Sequence, residues 1–371
     1  MRIGVPKEIK VLENRVGLTP GSVRELVHRG HELVMQDGAG QGIGVANADY
    51  AREGATIAQS AADVFSSCDM IVKVKEPQAA ERAMLRPGQI LFTYLHLAPD
   101  PAQTRDLVAS NAVCIAYETV TSPAGGLPLL APMSEVAGRL AVQAGAHYLE
   151  KPHGGKGILL GGVPGVAPAS VVVIGGGVVG THAIEIALGM GARVTVLDRS
   201  VDALKRLWTQ YGAALQTLFS TVDAIERQVA AADLVVGGVL VAGAAAPKLV
   251  TRAMVAKMQP GSVVVDVAID QGGCFETSHP TTHAEPTYVV DGVVHYCVAN
   301  MPGGVPRTST FALNNATLPF VVAIADKGWK RALAEDAHLQ QGLNVALGRV
   351  TCRPVADALG YAWTDAASFL A

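Results

Sequence analysis

The sequence predicts an α/β protein built on two doubly wound parallel sheets, and three observations lead there. Short apolar runs rich in Val and Ile alternate with helix-length stretches through most of the chain, the rhythm of βαβ units. One such run, Val171-Val172-Val173-Ile174, leads into Gly175-Gly176-Gly177-Val178-Val179-Gly180, a Gly-x-Gly-x-x-Gly turn, and then into a helical stretch ending near Met190. After residue 300 the pattern turns helical, so the tail is expected to pack back on the first half. Together these predict a Rossmann dinucleotide-binding domain over 134–302, inserted in a discontinuous domain made of 1–133 and 303–371.

The first half carries candidate strands at 2–5, 32–36, 55–58, 70–74, 89–94 and 113–116. Helical stretches lie between them at 20–28, 47–53, 60–66, 79–85 and 100–110, and 38–44 is a glycine-rich loop. Ser134 has the chemistry of an N-cap and Glu135 suits a first turn, so a helix is expected from there to about Leu149, stopped by Pro152. The stretch 152–168 holds six glycines and reads as a loop leading into the fingerprint. Further strands are expected at 171–174, 193–198, 214–219, 233–237, 262–266, 287–290 and 294–298, with helices at 178–190, 200–211, 222–231 and 251–257. In the tail, 310–327, 330–335 and 338–347 all read as helix, and no further strand is expected.

Bulk properties narrow the function classes. At 371 residues the chain exceeds what one core usually serves, which favours two domains. Half the residues are hydrophobic and 16% charged, which suggests heavily buried strands and an oligomeric assembly. A net charge of −3 without a basic patch argues against nucleic acid. The five cysteines are scattered without C-x-x-C spacing and read as free thiols in a reducing compartment. The apolar stretch 234–246 is 13 residues long, too short to span a bilayer. The start, Met1-Arg2-Ile3-Gly4-Val5-Pro6, reads as a strand rather than a signal peptide. A soluble cytoplasmic protein without a membrane partner is therefore expected.

The fingerprint has a specific physical meaning. Gly175 permits the tight turn, Gly177 lets backbone approach a pyrophosphate, and Gly180 lets the helix pack on the strand. The N-terminus of that helix then offers free N–H groups and a positive dipole end to the phosphates. Asp198 closes the next apolar strand, where an acid is expected to hold the adenosine ribose and repel a 2′-phosphate; Arg199 next to it softens that preference.

Ligands in such sheets bind beyond the carboxyl ends of the strands, which filters the polar residues. Arg15 follows the first strand and offers a fixed fork for a carboxylate. Lys75 follows 70–74 and can hold a carboxylate or polarise a carbonyl, although Lys73 lies nearby and Glu76 offers it a simple partner. His96 follows 89–94 and can move a proton near neutrality. Asp270 is a second acid/base candidate, with Asp266 as its rival. Ser220 and Val239-Leu240 end strands of the fingerprint domain. Met133 suits a cofactor contact or plain packing. His147 and His153 read as surface residues. His295, Cys297, His279 and His283 cluster in sequence, but their spacing matches no standard metal site, and no metal is assigned. A cationic clamp, a proton carrier and a dinucleotide describe oxidation of a small amino or hydroxy acid.

At these residues the chain resembles a family. Met1-Arg2-Ile3-Gly4-Val5-Pro6-Lys7-Glu8, Asn14-Arg15-Val16, Val72-Lys73-Val74-Lys75-Glu76-Pro77, Tyr94-Leu95-His96-Leu97-Ala98, the fingerprint, the stretch 266–273 and Val298-Ala299-Asn300-Met301-Pro302 together look like alanine dehydrogenase. The resemblance runs nearly the full length. It implies the reversible reaction of L-alanine, NAD⁺ and water to pyruvate, ammonium and NADH, and a homohexamer. It also implies roles. Arg15 and Lys75 bind the substrate, and His96 and Asp270 are the acid/base pair. The cofactor contacts are Ser134, Gly175, Gly177, Val178, Val179, Gly180, Asp198, Ser220, Val239, Leu240, Val267, Ala268, Ile269, Asp270, Val298, Ala299, Asn300 and Met301. His279 stands where the family often has an arginine near the cofactor, and a neutral histidine weakens a phosphate contact. Three rival readings remain: the nucleotide-binding part of a transhydrogenase, a saccharopine dehydrogenase, and a nucleotide-sensing module without turnover.

Overall fold

A computed structural model describes residues 1–239 and 246–370. The chain forms two compact units, Met1–Met133 with Val305–Ala371, and Ser134–Gly304. In chain order the strands are β1 (Arg2–Val5), β2 (Glu32–Gln36), β3 (Thr56–Ala58), β4 (Met70–Val72), β5 (Ile90–Thr93), β6 (Val113–Ala116), β7 (Ser170–Ile174), β8 (Arg193–Asp198), β9 (Leu215–Phe219), β10 (Leu234–Gly237), β11 (Val263–Asp266), β12 (Thr287–Val290), β13 (Val293–Tyr296), β14 (Leu343–Ala346) and β15 (Arg349–Val350).

The second unit holds a sheet ordered β12-β13-β11-β10-β7-β8-β9, parallel except for β12, which runs antiparallel on β13. Its central strand explains the apolar run seen in sequence. Val171 and Val173 join one core cluster, Val172 and Ile174 the other, so both faces of β7 are buried. A strand covered by helices on both faces needs a continuous apolar run, not an alternating one. The strand order reverses at β7, between β8 and β10, and that is where open α/β sheets leave a crevice for a ligand.

The first unit repeats the plan. Its sheet is ordered β15-β14-β6-β5-β4-β1-β2-β3, with β1 to β6 parallel and β14 and β15 forming an antiparallel edge. Its order reverses at β1, between β2 and β4. Arg15 lies in the loop after β1 and Lys75 just after β4, so both flank that switch point. Helix Pro306–Lys327 belongs to this unit: Asn314 Oδ1 accepts from the Thr19 amide at 2.9 Å and from Ser22 Oγ at 2.5 Å. Among the described residues it is the one helix long and apolar enough to cross a membrane by length and composition. Its buried Asn314, Thr310 and Thr317 mark it as a core helix instead.

Two expectations are corrected. The tail is not helix only. The one-turn helix Ala337–Gln340 is followed by β14, which pairs antiparallel with β6 and turns back into β15. The turn is Leu347-Gly348, both at positive φ (48° and 83°), the geometry of a two-residue hairpin. Leu347 disguises it, because Leu339, Leu343 and Leu347 also fit helical spacing. Ser134 is not an N-cap either. The helix starts earlier, at Ala131, with Pro132 in a first turn where a missing N–H costs nothing.

Candidate active site

In the first unit the candidate residues hang on three carboxylates that the sequence does not single out, Glu8 and Glu13 buried and Glu118 half-buried. Glu8, in the loop after β1, accepts from the Val74 amide at 2.7 Å and the Lys75 amide at 3.4 Å through Oε1. Its Oε2 takes Lys73 Nζ at 3.0 Å, and Lys73 also donates to Glu81 at 2.6 Å. Burial pushes the Glu8 carboxyl up, against the pull of Lys73. Lys73 is thus committed to a buried structural network, which fixes the backbone that presents half-buried Lys75. Glu76 is held by Lys10 and feels Lys75 as well; burial raises its carboxyl, but these two cations together leave it lowered.

Arg15 is 2% exposed and already gripped. Its Nε and terminal nitrogen donate to the two oxygens of Glu13 at 2.7 and 2.6 Å, and its other terminal nitrogen lies 3.0 Å from Met133 Sδ. Burial alone would lower the guanidinium, but the Glu13 pair outweighs it and leaves it raised. Arg15 therefore stays charged. A substrate carboxylate would meet a fork that shares its charge with Glu13, in a place where Met133 contributes packing.

His96 sits just beyond β5 with φ at +51°, a strained value for a side-chain-bearing residue. Glu118, in the turn Tyr117–Thr119 after neighbouring β6, accounts for it. Its Oε1 accepts from the His96 amide at 2.6 Å, and both its oxygens accept from the Leu95 amide at 3.2 Å. The His96 ring is partly exposed and stacks on buried Tyr94, with centroids 5.7 Å apart and planes 4° apart. Burial raises the Tyr94 phenol, with Arg15 opposing and Glu118 adding to it, so Arg15 and Glu118 act on one ring from their own loops. The structure gathers Arg15, Lys75 and His96 around Glu8, Tyr94 and Glu118. A carboxylate two residues from Arg15 was the one sequence signal for Glu13; Glu8 and Glu118 become visible only when the strands are set side by side.

In the second unit the fingerprint turn is built as its glycines require. Gly175 has φ of +99°, and a Cβ on Gly180 would lie 1.8 Å from the Gly175 carbonyl oxygen. Gly177 is exposed, and nothing lies within 4 Å of where its Cβ would be. It is the N-cap of helix Val178–Gly189 and supplies no side-chain cap, so phosphate oxygens suit the first-turn amides there. Asp198 Oδ2 accepts from the Gly176 amide at 2.6 Å and Oδ1 from the Ser200 amide at 2.7 Å. Ser220 donates its amide to the Asp198 carbonyl, and Val239 lies against the Gly175 turn. Val178 and Val179 open the helix, Val178 being exposed and Val179 half-buried. Leu240 lies outside the described residues. Ser134 is half-buried within its helix.

The other cofactor candidates lie in two loops of the same unit, after β11 and after β13. Val267, Ala268, Ile269 and Asp270 make a 3-10 turn directly after β11. Asp270 is exposed and accepts from the Asn300 amide at 3.3 and 3.4 Å, which ties this turn to the loop 298–301. Ala299 in turn bonds Thr281, and His283 Nε2 lies 3.2 Å from the Asn300 carbonyl. Val298 and Met301 are buried in the core, so backbone is what they can offer a ligand. The two aspartates differ in burial. Asp266 is fully buried and accepts from the amides of Ala268, Cys274 and Phe275 and from Ser278 Oγ. Its carboxyl is pushed up by burial despite these donors. Asp266 is an internal tie, whereas the Asp270 side chain is exposed. His279 stacks on Tyr288 with centroids 3.6 Å apart.

Residues 4–137 match the family described as "Alanine dehydrogenase/PNT, N-terminal domain", and residues 141–353 match its "C-terminal domain" counterpart. The chain is 63% identical to an alanine dehydrogenase of Halomonas elongata over 370 residues, covering 100% of both chains. The chain belongs to the alanine dehydrogenase/PNT family. A solved L-alanine dehydrogenase superposes with a TM-score of 0.94 at 53% identity, covering 97% of this chain and 99% of that one. A transhydrogenase from Sinorhizobium meliloti shares the family fold, with a TM-score of 0.84 at 24% identity over 94% of this chain and 100% of that one. At that identity the likeness speaks to fold alone. The family fold explains why two doubly wound sheets share one chain, with the fingerprint in the inserted one.

Proposed function

We propose that this chain is an NAD-dependent alanine dehydrogenase, which converts L-alanine and water reversibly to pyruvate and ammonium by hydride transfer. The observation that carries the proposal is the 63% identity to a curated alanine dehydrogenase across the whole of both chains. The solved transhydrogenase is 24% identical, a likeness of fold.

The residues support the chemistry. The uncapped, sterically open N-terminus at Gly177 and the acceptor Asp198 suit a dinucleotide's pyrophosphate and adenosine ribose, and a carboxylate at 198 favours NAD over its 2′-phosphorylated form. When bound, the nicotinamide supplies a hydride acceptor. Arg15 and Lys75 hold the alanine carboxylate and, in reverse, the pyruvate carbonyl. His96 takes the proton from water as it attacks the iminium and returns it as ammonia leaves. Asp270 assists proton movement and orients the amine. Buried Glu13 holds the Arg15 guanidinium, and Glu8 holds the backbone amide of Lys75, before substrate arrives. We further propose residence in the cytoplasm and a homohexameric assembly, which light scattering on the purified chain tests. The decisive assay mixes L-alanine and NAD⁺ with the purified protein and follows absorbance of the reduced cofactor. Reduction without any membrane fraction supports the proposal; binding of NADH with no turnover of alanine, pyruvate or ammonium refutes it.

A further inference from the structure

Helix Ala131–Tyr148 ends beside three side chains that none of this chemistry uses. His147 closes its last turn, Glu150 follows, and His153 ends the 3-10 turn Lys151–His153. The Glu150 amide donates to the His147 carbonyl at 3.2 Å, and the His153 amide donates to the Glu150 carbonyl at 3.1 Å. Two successive tight turns therefore stack residues three apart on one side of the chain. Each offers a ligand atom, and these atoms all lie within 4.8 Å of one another. His147 Nδ1 is 4.0 Å from one oxygen of Glu150, and His153 Nε2 is 3.8 Å from the other. A tetrahedral centre with bonds near 2.1 Å holds its ligand atoms about 3.4 Å apart. The two imidazoles already lie together, with ring centroids 3.8 Å apart, and ligation would require rotation of these partly exposed side chains.

The scaffold under these side chains is fixed. The Gly155 amide bonds the Glu150 carbonyl at 3.1 Å, and the Gly157 amide bonds the Leu149 carbonyl at 2.8 Å. A Cβ on Gly155 would lie 2.3 Å from backbone atoms of Tyr148 and Leu149, so the loop closes directly on the helix end. Tyr148 stands edge-on to both imidazoles, with centroids at 5.1 and 5.9 Å, and is itself backed by Tyr296 at 5.7 Å. The helix C-terminus adds negative potential beside the carboxylate. The three side chains are about half, half and a third exposed, which leaves room for water as a further ligand.

We propose that His147, Glu150 and His153 form a surface binding site for a divalent transition-metal ion of the zinc, nickel or cobalt class. Two imidazoles and one carboxylate suit those ions, whereas magnesium and calcium prefer all-oxygen sets. A bound ion would clamp the end of the helix to the loop that leads into β7. Ligation requires unprotonated imidazoles, so acid weakens it.

The test titrates zinc into the full chain against a chromophoric chelator at neutral pH, for wild type, His147→Ala, Glu150→Gln and His153→Ala. The expected result is one tight site per chain in wild type, weakened tenfold or more in each variant and unmoved by millimolar magnesium. Retained alanine turnover shows that each variant is folded. A visible absorption band on cobalt loading, lost in His153→Ala, is the second readout. Equal zinc affinity in wild type and both histidine variants, or no site tighter than that for magnesium, overturns the proposal.

Discussion

Gly177 and Gly180 lie three residues apart in one turn, yet their substitution by alanine should have opposite signatures. A Cβ at Gly180 would stand 1.8 Å from the Gly175 carbonyl oxygen, against an ordinary contact near 3.5 Å. The obstacle is backbone in a turn whose own geometry is set by Gly175 at positive φ, so the helix and strand must separate. Such overpacking costs about 1–3 kcal/mol or more, and the roughly 1 kcal/mol that alanine contributes inside a helix offsets only part of it. For a unit of this size each kcal/mol moves Tm by about 2–4 °C. Gly180→Ala should therefore lower Tm by several degrees and weaken NADH binding with it. Gly177 has open space around it, and its φ of −72° suits alanine. Gly177→Ala should keep its stability within about 1 kcal/mol. It should nonetheless weaken NADH by roughly tenfold or more, because the new methyl stands where backbone must approach the pyrophosphate. Thermal melts and NADH fluorescence titrations read the two quantities separately. Wild-type NADH affinity in Gly177→Ala refutes the close-approach argument, and an unchanged Tm in Gly180→Ala refutes the steric one.

Three further outcomes are expected. Glu118→Ala should reduce kcat with alanine at least tenfold while leaving NADH affinity alone, because it releases the amides that hold His96 at positive φ; Glu118→Gln, which keeps an acceptor oxygen, should recover much of the loss, and an unaffected kcat in the alanine variant counts against the role. Asp326 lies 2.7 Å from His31 and 3.1 Å from Arg29, and the His31 contact, more than Arg29, lowers its carboxyl. Because that folded-state pKa is depressed, its contribution is present above the ordinary carboxylate value of about 3.9 and is lost as pH falls through the folded value. Asp326→Asn should thus cost up to about 1 kcal/mol at pH 7 in denaturant titrations, a gap that closes in strong acid; a gap that widens there contradicts the pairing. Leu347→Asn should raise stability by about 0.5–1 kcal/mol, since asparagine tolerates the positive φ of the β14–β15 turn better than leucine; a lower Tm would show that the leucine side chain matters more than its backbone.

What the sequence by itself determined was whatever depends on local pattern. The apolar run before Gly175, the glycine spacing and Asp198 are read within thirty or so residues, because a parallel strand buried on both faces, a tight turn and a helix N-terminus each impose their own residue types. The placement of Arg15, Lys75 and His96 just past strand ends came from the same rule. What only the tertiary structure decided depends on neighbours distant in the chain. Glu8 reaches Val74 and Lys73, Glu118 reaches His96, and Asp270 meets Asn300 because parallel strands set their loops side by side, whatever the separation in sequence. That Asp266 is buried and Asp270 exposed is a difference that positions four apart in one motif do not reveal. The strand β14 was hidden for a related reason: 338–347 fits helical spacing, and only an open edge on β6 turns it into a strand. Local chemistry specifies the elements and their ends, while hydrogen bonds between chain-distant groups decide which side chains are held ready and which are consumed in holding them.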